Sequence, residues 1–150
     1  MLGVFDARWL QPLARALGRL GSRHVLVVHS LDGMDEISIS APTEIAEMRN
    51  GEVTVFKIDP EQFGLRRADI APLVVDGPAQ SLDRVLAVLD GKPGAASDVV
   101  ALNAGAAIYA AGLAGTLADG VDKARAVLAS GEARIKLDEL VRLTRVMNAE

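Results

Sequence analysis

The run His24-Val-Leu-Val-Val-His29 constrains this chain more than any other feature. Three Val and a Leu in succession leave no polar face to turn toward water, so the segment predicts a strand covered on both sides. Such strands are the central members of α/β sheets. The preceding segment agrees. Across residues 6–20, Trp9, Leu10, Leu13, Leu17 and Leu20 recur near the 3.6-residue period, with Asp6 suited to cap the start and Gly21 to end the helix. A helix leading into a buried strand predicts α/β layering.

Downstream, Ser30-Leu-Asp-Gly-Met-Asp-Glu36 reads as a turn rich in carboxylates, and residues 36–40 alternate apolar and polar as a second strand would. Pro42 marks a break. Residues 43–49 and 52–58 flank Asn50-Gly51, the strongest short hairpin signal, because a type I′ turn needs positive φ at both central positions. On the returning strand Thr54, Phe56 and Ile58 share one face, with Val53, Val55 and Lys57 on the other. Pro60 suits the first turn of a short helix that Gly64 stops. Pro72, Gly77 and Pro78 predict a surface loop over residues 65–80.

The remainder predicts helices. Residues 81–89 carry Leu82, Val85, Leu86 and Leu89 in register, and Ser97 or Asp98 is placed to cap an Ala-rich helix. Helices are expected at 119–129 and 137–147, with Gly120 and Gly131 near the joints and Leu137, Leu140, Val141 and Thr144 on one face of the last. The 150 residues show no repeat and no composition shift, and predict a single domain.

Residues 99–118 hold no charge over twenty positions, about the length that spans a bilayer. Most of them are Ala and Gly, the stretch includes Asn103, Tyr109 and Thr116, and acids flank it, so it predicts a buried, closely packed helix and no membrane partner. Asp6 and Arg8 interrupt the opening apolar run, which argues against a signal peptide. The chain has no cysteine, excluding thiolate catalysis and Cys-based metal sites, and a cytoplasmic location is expected. A net charge of −4 with three Phe, one Tyr and one Trp supplies neither cations for phosphates nor rings for bases, so no nucleic-acid partner is expected.

Chemistry concentrates in one place. Asp32, Asp35 and Glu36 follow the carboxyl end of the predicted central strand, where open α/β sheets gather ligands. Carboxylate oxygens suit a hard cation such as Mg²⁺, which typically takes one or two of them and completes its shell with water and substrate phosphates. The alternative is a solvated turn tightened by Asp32-Gly33. His29 suits either a substrate-orienting role or a hydrogen-bonded structural one, and His24, five positions away, faces the opposite side. Asn103 is placed either to reach a ligand or to satisfy a buried neighbour. Neither glycine-rich nucleotide-binding fingerprint nor a nucleophile elbow is present.

The stretch VLVVHSLDGMDEISISAPTEIAEMRNGEV at 25–53 strongly resembles the anthranilate phosphoribosyltransferase family. The likeness continues through PEQFGL at 60–65 and LNAGAAIY at 102–109, and covers GVFD at 3–6 and PLA at 12–14. Thymidine phosphorylase and its relatives share the fold type but fit the motifs less well. The resemblance implies an incomplete phosphoribosyltransferase/nucleoside-phosphorylase-like α/β domain, with central strands, a β-hairpin and a helical C-terminal third. It also implies a reaction joining anthranilate to phosphoribosyl pyrophosphate, with release of pyrophosphate, in tryptophan biosynthesis. By motif position Asp35 and Glu36 would help bind the accompanying Mg²⁺. The resemblance assigns no role to Asp32 or His29.

Against the family pattern, residues 1–150 correspond to the C-terminal part of the catalytic domain. The Gly-Thr-Gly-Gly phosphate loop, the Lys-His-Gly-Asn segment and the N-terminal helical region have no counterpart in this sequence. Little activity is therefore expected of this chain alone, and self-association through an uncovered strand edge and apolar surface is expected. A stand-alone non-catalytic interaction or regulatory module is the alternative, and a generic Mg²⁺- or phosphate-binding domain a weaker third.

Overall fold

The computed structural model describes residues 1–147. His24–Ser30 forms the predicted central strand, β2, with Val25, Leu26, Val27 and Val28 all buried. The sheet is ordered β1-β2-β3-β4, where β1 is Leu2–Gly3, β3 Thr43–Arg49 and β4 Glu52–Ile58. β1 runs parallel to β2, while β2–β3 and β3–β4 are antiparallel. The two-residue β1 was not predicted; it is too short to show a period. The Asn50-Gly51 hairpin is present, with φ of 54° and 84° at its two central residues.

Helix α1, Leu10–Arg19, covers one face of the sheet. Asp6 caps the 3₁₀ turn Ala7–Trp9 that leads into it by accepting from the Arg8 N–H. Leu10 and Ala14 pack there with Val4, Val25, Val27, Ala46 and Met48. On the other face Leu26, Val28, Ile45 and Ile58 meet Ile37, Ile39, Leu65, Leu102, Ala106 and Val121. The last three come from α3, Ala95–Ala110, and α4, Leu117–Ser130. The result is a helix–sheet–helix sandwich, as the α/β reading predicts. Helix α2, Pro78–Leu89, joins α3 and α4 through Val88, Ala101 and Leu128. Helix α5 is Glu132–Met147.

Several boundaries differ from expectation. The alternating segment 36–40 is not a strand but a loop of bends, although Ile37 and Ile39 are buried as the alternation implied. Its backbone groups are satisfied from elsewhere, as described below. α2 begins at Pro78 rather than Ser81, because proline fits the first helical turn, where its missing N–H is not needed. α3 begins at Ala95 behind Gly94, so Ser97 and Asp98 lie inside its first turn and neither caps it. α4 begins at Leu117, with Thr116 and Asp119 forming a reciprocal capping box. α5 begins at Glu132, and its face of Leu137, Leu140, Val141 and Thr144 is not buried; Leu140 is 56% exposed. The uncharged stretch is split between α3 and α4, and no described helix is long and apolar enough to cross a membrane.

Gly120 lies inside α4 rather than at a joint. It faces Gly105 of α3, and a Cβ built on Gly105 would stand 2.5 Å from the Val121 nitrogen. The Ala/Gly richness of residues 99–118 thus serves close helix packing, as read from the sequence.

Candidate functional site

Beyond Ser30 the chain turns sharply and carries Asp32, Asp35 and Glu36 at the carboxyl end of β2. Backbone bonds close the turn: Ser30 N–H donates to the Met34 carbonyl at 2.9 Å, and Leu31 N–H to the Pro42 carbonyl at 2.9 Å. Glycine is required beside it. A methyl group on Gly3 of β1 would overlap the Asp35 carbonyl oxygen, so β1 and the acidic turn approach each other only because Gly3 has no side chain.

The three acids do not act as one cluster, contrary to the grouping their spacing suggests. Asp32, itself exposed, accepts from the Ser38 and Ser40 hydroxyls and, at 3.2 Å, from the Met34 N–H. Partial burial alone would raise its carboxyl, but the hydrogen bonds from Ser38, Ser40, Ser30 and Met34 outweigh it and hold the pKa below the ordinary value. Among the described residues no group of three or more His, Asp or Glu side chains is placed to hold a metal ion.

Asp35 and Glu36 do meet. Desolvation and the neighbouring Asp35 carboxyl together push the Glu36 carboxyl above its ordinary pKa. Neither side chain is ion-paired to a described cation, and both are exposed. They line neither the clefts beside α2 and α3, nor that between α1 and the β3–β4 hairpin, nor that below the α3–α4 loop. The pair therefore stands on an open surface. Two adjacent carboxylates, neither of them ion-paired among the described residues, are a donor set that a divalent ion with further ligands of its own would fit.

The buried backbone behind the pair is held by side chains. Asn103 of α3 accepts from the Ile37 N–H at 2.9 Å and donates to the Ile37 carbonyl at 2.8 Å. Ser38 N–H donates to Thr43 Oγ1 at 3.2 Å, and Ala68 N–H to the Ile39 carbonyl at 3.1 Å. These bonds do the work of a strand partner, which is why residues 36–40 need no ladder. Of the two readings of Asn103, the satisfied buried neighbour is the one observed. The Ser38/Ser40 pair was visible in the sequence as the polar half of an alternation; its use as a carboxylate cradle was missed.

The histidines serve separately. His29 Nδ1 donates to the Val4 carbonyl at 2.9 Å, tying β1 to β2. His24 Nε2 lies 2.7 Å from Glu47, which also accepts from the Tyr109 hydroxyl at 2.8 Å.

The profile described as the glycosyl transferase family, a/b domain, matches residues 1–134. The chain belongs to this family. Among curated members, the anthranilate phosphoribosyltransferase of Thioalkalivibrio sulfidiphilus is 58% identical over 144 residues, which is 96% of this chain and 43% of that protein. The crystal structure of anthranilate phosphoribosyltransferase from Thermus thermophilus superposes with a TM-score of 0.88 at 41% identity, over 97% of this chain and 43% of its own. The Saccharomyces cerevisiae enzyme in complex with PRPP and Mg gives a TM-score of 0.77 at 24% identity, over 91% of this chain and 40% of that one. At that identity the likeness is one of fold alone. The chain thus spans under half the length of these relatives.

Proposed function

We propose that this chain is the C-terminal part of an anthranilate phosphoribosyltransferase, and that Asp35 and Glu36 are its contribution to binding Mg²⁺. The identity of 58% to a member bearing that name carries the reading. It is supported by the position of the acidic pair at the carboxyl end of β2 and by its having no ion-pair partner among the described residues. The overall reaction breaks the bond between the ribose carbon and pyrophosphate and forms a bond from that carbon to the anthranilate amine, which gives up a proton. The cation supplies charge neutralisation of the departing pyrophosphate. This chain's part is to hold two carboxylates side by side on an ordered turn, with Asp32 and Gly3 fixing its path. The location that follows is the cytoplasm.

On this reading the chain alone turns over neither substrate, because it carries no glycine-rich loop for the phosphates. The test is an assay of product formation from phosphoribosyl pyrophosphate, anthranilate and Mg²⁺. The chain alone is expected to be silent, and addition of the complementary N-terminal segment of a close relative to restore turnover. Asp35→Asn and Glu36→Gln are expected to raise the Mg²⁺ requirement of the restored activity. Turnover by the chain alone would refute the inactivity. Restored activity indifferent to both substitutions would refute the site.

A further inference from the structure

Helix α3 reaches the acidic turn through one side chain. Asn103 projects from α3 and makes both hydrogen bonds that a neighbouring strand would have made to Ile37, accepting from its N–H and donating to its carbonyl. Its second amide hydrogen goes to the Val99 carbonyl at 2.9 Å, one turn back on the same helix. One acceptor and both donors are thereby engaged, so the orientation of the amide is fixed by three bonds. Ile37 directly follows Glu36, is 1% exposed, and belongs to the same buried cluster as Leu26, Val28 and Leu102.

We propose that Asn103 is a positioning residue for the acidic pair, clamping the backbone at Ile37 so that the carboxylates of Asp35 and Glu36 stay side by side for a divalent cation. The inference rests on the reading of that pair as a cation site and adds to it the residue that fixes its geometry. Adjacent like charges repel, and an exposed turn would relieve the repulsion by letting its side chains and backbone spread. The turn is prevented from doing so at its two ends by different means. On one side Asp35 abuts Gly3 of β1. On the other the chain is bonded to α3, which is itself held against α4 by the Gly105–Val121 approach. The amide is specific to this task. A leucine has similar bulk but neither a donor nor an acceptor. An aspartate keeps an acceptor for the Ile37 N–H but sets an oxygen against the Ile37 and Val99 carbonyls.

The test titrates the purified chain with Mn²⁺ as a paramagnetic stand-in, reading affinity from the broadening of the Asp35 and Glu36 amide signals. Asn103→Leu is expected to weaken Mn²⁺ binding by about tenfold or more, the range found when groups that orient metal ligands are removed. Asn103→Asp, less disruptive to packing, is expected to weaken it in the same direction. Leu102→Val serves as a stability control: it loosens the same stretch of α3 without touching the clamp, and its Mn²⁺ affinity is expected to stay within twofold of the parent. Asp35→Asn with Glu36→Gln is expected to abolish the site. If that double substitution abolishes binding while both Asn103 variants bind as the parent does, the positioning role is overturned and the cation site stands. A parallel loss in Leu102→Val would overturn the role as well, since mere loosening would suffice. Binding that ignores the double substitution would overturn the cation site, and the positioning role with it.

Discussion

Gly18→Ala and Gly105→Ala make the same chemical change in two helices, yet the structure gives them opposite signs. In a helix interior, alanine is favoured over glycine by about 1 kcal/mol through backbone entropy. Propensity alone therefore expects both to stabilise. At Gly18, near the end of α1, the new methyl would stand 3.2–3.3 Å from Met48 Cγ, Sδ and Cε. Those atoms belong to an unbranched side chain that can yield by a few tenths of an ångström. At Gly105 it would stand 2.5, 2.6 and 2.7 Å from Val121 N, Cα and Cγ2, two of them backbone atoms of α4. Restoring ordinary contact requires α3 and α4 to part by about 1 Å, and a gap of that size forfeits a quarter to a half of the dispersion attraction across it. Overpacking of this kind costs about 1–3 kcal/mol, and the lost contacts of Leu102, Ala106 and Val121 add to it. Set against the propensity gain, Gly105→Ala is expected to destabilise by about 2 kcal/mol. Gly18→Ala is expected to be neutral or to stabilise by up to about 1 kcal/mol. For a chain of this size about 2 kcal/mol lowers Tm by roughly 4–8 °C. Urea unfolding followed by circular dichroism, with the slope unchanged between variants, measures both. A Gly105→Ala chain as stable as Gly18→Ala would refute the claim that α3 and α4 meet through bare backbone.

Gly3→Ala is expected to displace the Asp35 backbone and to lower Mn²⁺ affinity severalfold, read by the same amide broadening. Asp32→Asn tests the serine cradle: a carboxyl whose folded pKa is depressed contributes stability that is present above its unfolded pKa and is lost as pH falls through the folded one. Urea unfolding should therefore show a cost of about 1 kcal/mol at neutral pH that shrinks as pH falls below the ordinary carboxylate range and the carboxyl becomes uncharged; an equal cost at neutral and acid pH would remove charge from the explanation. Phe5 is 72% exposed beside the free edge of β1, and Leu143 of α5 is 57% exposed, so light scattering is expected to show mass rising with concentration. A constant monomer mass would count against self-association.

The features legible in the sequence are those that local chemistry decides. Asn50-Gly51 forms its hairpin because the turn itself demands positive φ. The run at 24–29 had to be covered on both faces whatever covered it. Residues 36–40 form a loop despite their alternation because alternation reports only which side chains are buried, and Ile37 and Ile39 are buried equally well by a loop. What separates loop from strand is the source of the backbone hydrogen bonds, and here it is Asn103, Thr43 and Ala68, brought close only by the fold. The same limit applies to the site. Resemblance singles out Asp35 and Glu36, whereas carboxylate spacing alone also groups Asp32 with them. Hydroxyls from Ser38 and Ser40 withdraw it from the group. Gly3 and Gly105 matter for what a side chain would strike, which no local pattern records.

The withdrawal of Asp32 bears on how the site would work. Mg²⁺ demands six oxygens in near-octahedral array and parts reluctantly with water. With Asp32 committed to serines, the turn offers two carboxylates and no third acid among the described residues. Most of the shell must then come from water and from a ligand carrying its own oxygens, such as a diphosphate. A third carboxylate would tighten the ion in the absence of substrate and add negative charge where the diphosphate must approach. Two bring the local charge to neutral, and leave the ion's remaining positions to water and to diphosphate oxygens. On the proposed site, the serine bonds would commit Asp32 oxygens that could otherwise ligate the ion. By this argument Mg²⁺ and the diphosphate should bind to the assembled enzyme cooperatively, each raising affinity for the other by the same factor. Calorimetric titrations of each in the presence and absence of the other would measure that factor, and a value of one would show that the pair does not hold the ion against the diphosphate.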